Sequence, residues 1–201
     1  MQLPIFPLNT LVFPGGVLAL RIFETRYLDM VRNCARDNTE FVITLASDQR
    51  AAGMSYAKTA TVVRIVDWDT LPDGLLGVTV EGMRRVSIAD AKVQPDQLLM
   101  ADVETIAEDE DLPLDETFKA WADLIKSVLT HLGAPYSQLE FQLESANWVA
   151  SRMTEVLPLE LSIKQKILEI NHPTVRLEHL REALQDVEYY KKRAKFMNKE
   201  E

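Results

Sequence analysis

The sequence is poor in several of the things that announce a function. It has one cysteine, Cys34, and seven glycines in 201 residues. It has no apolar run of 18 residues and an excess of acidic over basic side chains. A lone cysteine excludes an intramolecular disulfide framework and points to a reducing compartment, so the expectation is a cytoplasmic protein. Without a long apolar run there is no candidate membrane-spanning helix. The first residues carry no basic segment, and Leu11–Leu20 is broken by Pro14-Gly15-Gly16, so no signal peptide is expected. The formal net charge of −9 is a poor footprint for a phosphate-backbone binder, and nucleic acid is not an expected partner.

Catalytic motifs are lacking too. There is no G-x-x-x-x-G-K-[ST] loop, no G-x-G-x-x-G and no G-x-S-x-G elbow. His131, His172 and His179 stand isolated, without the paired cysteine or histidine a metal site needs. Asp67 and Asp69 could share one face of a strand, but no nucleophile lies nearby in sequence. The expectation is a non-enzyme with no cofactor and no metal.

What is present is a change of texture along the chain. Residues 1–100 hold 10 basic and 11 acidic side chains, leaving 12 basic and 20 acidic for the rest. Before residue 110 the pattern is largely period two and rich in β-branched residues. Strands are expected over 40–45, 59–68, 75–80, 85–88 and 98–106, with Leu71-Pro72-Asp73-Gly74 as a turn and Gly82 as a bend. Short turns between them predict antiparallel sheets or a small barrel. One helix interrupts the series from Glu24 to about Asp37, with Tyr27, Leu28, Val31 and Cys34 or Ala35 at helical spacing. Glu108-Asp109-Glu110-Asp111 reads as a solvated linker.

After that cluster the period becomes 3.6. Phe118, Ile125, Leu129 and Leu132 define a helix ended by Gly133-Ala134-Pro135. Further helices are expected over 146–156, from about Ser162 to Ile170, and from Pro173 onward. The domains read as a β-rich lobe at 1–110 and a helical lobe at 111–201. The tail Tyr189–Glu201 is polar on nearly every face, with Lys191, Lys192, Arg193 and Lys195 suited to a helix C-terminus.

Three segments carry a family resemblance. The first is Leu3-Pro4-Ile5-Phe6-Pro7-Leu8-Asn9 followed by Val12-Phe13-Pro14-Gly15-Gly16-Val17 and Arg21-Ile22-Phe23-Glu24-x-Arg26-Tyr27. The second is Asp73-Gly74, Gly77, then Glu81-Gly82-x-Arg84-Arg85-Val86. The third is Leu157-Pro158-Leu159, Lys164-Gln165-Lys166-Ile167-Leu168-Glu169 and Arg176-Leu177-x-x-Leu180. Together they resemble the N-terminal substrate-binding domain of Lon proteases, especially its free-standing bacterial form, over about residues 2–184.

The resemblance implies an α+β fold: a β-rich, PUA-like pseudo-barrel carrying one helix, then a C-terminal helical bundle. It implies a non-catalytic module that binds unfolded or extended protein segments, with neither ATPase nor protease parts in these 201 residues. The candidate peptide-binding residues are Phe6, Pro7, Arg21, Phe23, Glu24, Tyr27 and Arg84. Apolar pockets and sheet edges would accept the chain and arginines would fix its polar ends. The alternative is an adaptor that binds a folded partner through the acidic helical lobe or the tail.

Overall fold

The computed structural model describes residues 1–46, 56–108 and 110–197, with the side chains of the last helix described to residue 185. Six strands form one sheet: β1 Gln2–Leu8, β2 Val17–Ile22, β3 Phe41–Leu45, β4 Thr59–Thr70, β5 Leu76–Val93 and β6 Leu99–Thr105. Among the described residues five α-helices accompany them: α1 Thr25–Asp37, α2 Lys119–Leu132, α3 Ala146–Val156, α4 Leu161–Glu169 and α5 Pro173–Met197. The fold is thus a mixed α+β one.

The strand order is β2-β5-β4-β3-β1-β6, and β5 also pairs with β6. That last pairing closes five strands into a ring and leaves β2 attached outside it. Closure is possible because β5 is long enough to serve twice. Its first half pairs with β2 and its second half with β6. The side-chain alternation of strands divides the apolar residues between the two faces. Ile5, Val42, Val62, Val86 and Val103 fill the inside of the ring. Phe6, Phe41, Ile43, Val63 and Val80 face the other way, where Tyr27, Met30, Val31 and Cys34 of α1 cover them.

A third core lies among the helices, and two residues from the β1–β2 loop belong to it. Leu11 and Phe13 pack with Ile125, Leu129, Val149 and Leu180, while Val12 between them joins the α1 face of the sheet. The loop is fastened from both sides. The Thr61 hydroxyl donates to the Val12 carbonyl at 2.6 Å. The Phe13 amide donates to Glu155 at 2.7 Å and Arg152 donates to the Pro14 carbonyl at 3.1 Å.

Several expectations are corrected. Residues 75–80 and 85–88 are parts of one strand, β5, which runs through Gly82. Gly82 and Arg84 pair with Val63 and Val62, so Met83 is an extra residue and the bend is a β-bulge. The sheet is not wholly antiparallel, because β1 and β3 run parallel, with α1 inside the connection.

The acidic cluster is exposed and outside regular structure at Glu108, Glu110 and Asp111, as a solvated linker would be, but two of its carboxylates have partners. Glu108 holds buried Arg85 at 2.8 Å and lies 3.7 Å from Arg176. Asp111 accepts from the amides of Leu112 and Asn147. Asp109 lies outside the described residues, as do the side chains of the tail. Ser162 falls in the first turn of α4, whose N-cap is Glu160.

The Arg84-Arg85 pair splits its work between faces. Arg85 is fully buried and donates to the carbonyls of Leu168 and Ile170 and to the Asn171 side chain at 2.7–3.1 Å. It fastens the helices to the ring.

Candidate functional site

A groove of about 920 Å³ lies between α1, the start of β1 and the outer part of β4. Its apolar lining comes from separate elements: Met30 from α1, Ile65 and Trp68 from β4, Met83 from the β5 bulge, Leu98 just before β6 and Met100 within it. Methionine is unbranched and polarizable, so a wall of it adapts to side chains of different shape. Trp68 is 65% exposed, a large apolar surface left in water. The bulge explains Met83, since an inserted residue re-aims its side chain out of the regular alternation.

Charge around the groove is arranged in pairs. Arg84 makes a two-pronged contact with Glu40 at 2.9 and 2.8 Å, which raises the pKa of the guanidinium. Arg64 holds Glu81 at 2.7 Å. Cys34 lines the groove wall yet is 4% exposed, and burial pushes its thiol pKa up, which disfavours the reactive thiolate. The groove therefore offers apolar contact and neutralised rims, and nothing in its chemistry provides a nucleophile. Among the described residues, no group of three or more His, Cys, Asp or Glu side chains is placed to hold a metal.

The residues selected from sequence fall into three places. Phe6 and Tyr27 are 6% and 7% exposed and stack with centroids 3.9 Å apart, behind the α1 wall. Burial raises the Tyr27 pKa, and the Arg26 guanidinium sits 4.6 Å from its ring centre. Glu24 is the N-cap residue of α1, but its side chain makes no cap bond and instead holds Arg26 at 2.7 Å. Pro7 is half-buried opposite Thr44 in the parallel β1–β3 pair. Arg21 and Phe23 are exposed at the end of β2, where Arg21 pairs with Asp73 of the hairpin turn. Arg84 stands at the groove through Glu40.

None of Phe6, Arg21, Phe23 or Tyr27 lines the groove itself. The sequence reading missed Trp68, Met83 and Met100. One signal was available: Trp68 sits in a strand segment, Val66 to Thr70, flanked by two aspartates, where a tryptophan has no ordinary reason to be exposed.

The comparisons with known proteins agree with this architecture. The sequence profile of the family described as the ATP-dependent protease La (LON) substrate-binding domain matches residues 2–186. The Lon protease of Bacillus thuringiensis (strain Al Hakam) is 27% identical over 199 residues, covering 91% of this chain and 24% of the relative. Lon protease 2 of Desulfotalea psychrophila is 27% identical over 195 residues, covering 90% and 24%. This chain thus spans about a quarter of the length of the curated relatives it matches.

The crystal structure of a Lon N-terminal domain protein from Xanthomonas campestris superimposes with a TM-score of 0.73 at 32% identity. The match covers 90% of this chain and 96% of that one. The N-terminal domain of a Mycobacterium avium complex Lon protease has the same fold, with a TM-score of 0.64 at 20% identity.

Proposed function

Because the chain belongs to the family of Lon substrate-binding domains, we propose that it is a non-catalytic module that captures unfolded or extended protein segments in the methionine-lined groove. The observation that carries this reading is Trp68, two-thirds exposed beside Met83 and Met100 on the wall of a 920 Å³ groove. A surface of this kind gains from covering its apolar area while tolerating many sequences.

In this reading Phe6 and Tyr27 act from behind, holding α1 at the angle that keeps the groove open. Arg84 fixes one rim through Glu40. Arg21, Phe23 and Glu24 form a second, shallower contact patch at the end of β2, with Pro7 stiffening β1. We read the closed sheet as the PUA-like pseudo-barrel, the lobe at 1–110, and the helices as the bundle at 111–201. A cytoplasmic location belongs to the same proposal and rests on the single buried thiol.

The test is equilibrium binding of a labelled, permanently unfolded protein. Trp68→Ala is expected to weaken capture about tenfold or more, as loss of a central aromatic anchor does. Met83→Ala and Met100→Ala are expected to weaken it less. Unchanged affinity in all three would overturn the groove as the site.

A further inference from the structure

The groove has a second property, in its backbone rather than its side chains. β3 pairs with β4 only through Thr61, Val62 and Val63. From Arg64 onward β4 pairs with β5 alone, so its other edge has no strand beside it among the described residues. That bare edge runs along the groove, which Arg64, Ile65 and Trp68 line.

The phase of the ladder identifies the groups on the bare edge. The Leu71 amide donates to the Leu75 carbonyl at 2.8 Å at the hairpin end. Hydrogen-bonded and non-hydrogen-bonded pairs alternate in antiparallel strands. Asp69 therefore bonds to β5, and the amides and carbonyls of Trp68 and Thr70 point outward to the groove side. Both outward amides are already occupied. The Trp68 amide donates to Asp67 Oδ1 at 2.9 Å and the Thr70 amide to Asp69 Oδ1 at 2.7 Å. Each aspartate caps the donor of the residue that follows it, a form of edge protection built from side chains. Among the described residues no side chain donates to the outward carbonyls in this way.

We propose that the Trp68–Thr70 edge of β4 is a strand-addition site, and that Asp67 and Asp69 are its displaceable caps. The inference rests on the groove being the binding site. The occupant is an extended apolar segment of another protein. Its amides donate to the Trp68 and Thr70 carbonyls, its own carbonyls displace the two carboxylates, and alternate side chains enter the methionine wall. A second copy of this chain is the poorer occupant. Edge-to-edge pairing would set two Asp67–Asp69 pairs against each other in a chain whose net charge is already −9. Backbone pairing supplies affinity without reading sequence, which is what a receptor for many unfolded chains requires.

The probe is a short peptide alternating leucine with glutamine and serine, N-methylated either on its leucine amides or on its polar amides. Only one set of amides faces β4, so one set is expected to weaken binding about tenfold and the other to leave it unchanged. Asp67→Ala/Asp69→Ala is expected to tighten binding of the unmethylated peptide several-fold, because its carbonyls then meet free amides. Equal effects of the two methylation sets, or none, overturn strand addition. So does self-association of the double variant without tighter peptide binding, which would place a second copy on the edge. If Trp68→Ala weakens peptide binding while methylation has no selective effect, the groove stands and strand addition alone falls. If Trp68→Ala changes nothing, the groove reading falls first.

Discussion

At the residue scale, the burial of each charge decides what its loss would do. Arg85 is completely buried and its donors satisfy two carbonyls, an amide oxygen and a carboxylate. Arg85→Met would remove the donor to the Leu168 carbonyl and the Asn171 side chain and leave Glu108 only its longer contact with Arg176, an effect on the order of 3 kcal/mol or more. For a chain of this length that is a fall in melting temperature of roughly 6–12 °C. Arg64→Ala breaks only an exposed pair with Glu81 and is expected to change stability by under about 1 kcal/mol. Thermal unfolding of the two variants side by side checks the contrast. Gly82 is constrained for a different reason. A Cβ there would collide with the Phe13 carbonyl, while the glycine's own amide and carbonyl hold Gly16 and Gly15. Gly82→Ala is expected to cost about 1–3 kcal/mol by the same measurement. Cys34 should resist alkylation in the native protein and react fully once unfolded, since it is buried and its thiolate is disfavoured.

At the scale of elements, α1 and the β4–β5 hairpin carry the account. Helix α1 stops at Asn38, whose backbone is left-handed with φ 50° and whose amide bonds back to Cys34. Asn38→Val should destabilise the fold by about 1–2 kcal/mol, because a β-branched residue resists that conformation. On the hairpin the expectation is the reverse. Trp68→Ala removes an exposed side chain and should shift stability by less than about 0.5 kcal/mol while weakening capture.

The elements were largely legible in the sequence because periods of 2 and 3.6 survive in their apolar residues. Helix α1 and the helices after residue 118 appear close to where the spacing places them. The run through Gly82 was not legible, because a bulge and a bend share the same local signal. The groove was legible only in part. Its wall is assembled from Met30, Trp68, Met83 and Met100, which are far apart in sequence and meet only through the closed sheet. Phe6 and Tyr27 were expected to contact a bound peptide and form one buried stack instead. A motif records that residues matter without recording which side of a wall they stand on.

At the scale of the whole molecule, the charge asymmetry between the halves does not make them independent. Arg85, Glu108 and Arg176 share one ionic cluster between ring and helices. Gln165 of α4 donates to the Thr59 carbonyl, and Arg152 to the β1–β2 loop. The lobes should therefore unfold together. Far-UV circular dichroism and tryptophan fluorescence are expected to give coincident denaturant transitions, and two separated transitions would contradict that coupling.

The proposed function places unfolded chains between α1 and the outer half of β4. The most direct test is amide and methionine-methyl NMR of the intact chain during titration with an unfolded protein. Shifts are expected to concentrate at Trp68, Met83, Met100 and the neighbouring wall of α1, and to leave the helical lobe unmoved. Perturbations centred on the acidic helices or on residues 189–201, with Trp68 and the methionine methyls unchanged, would contradict it.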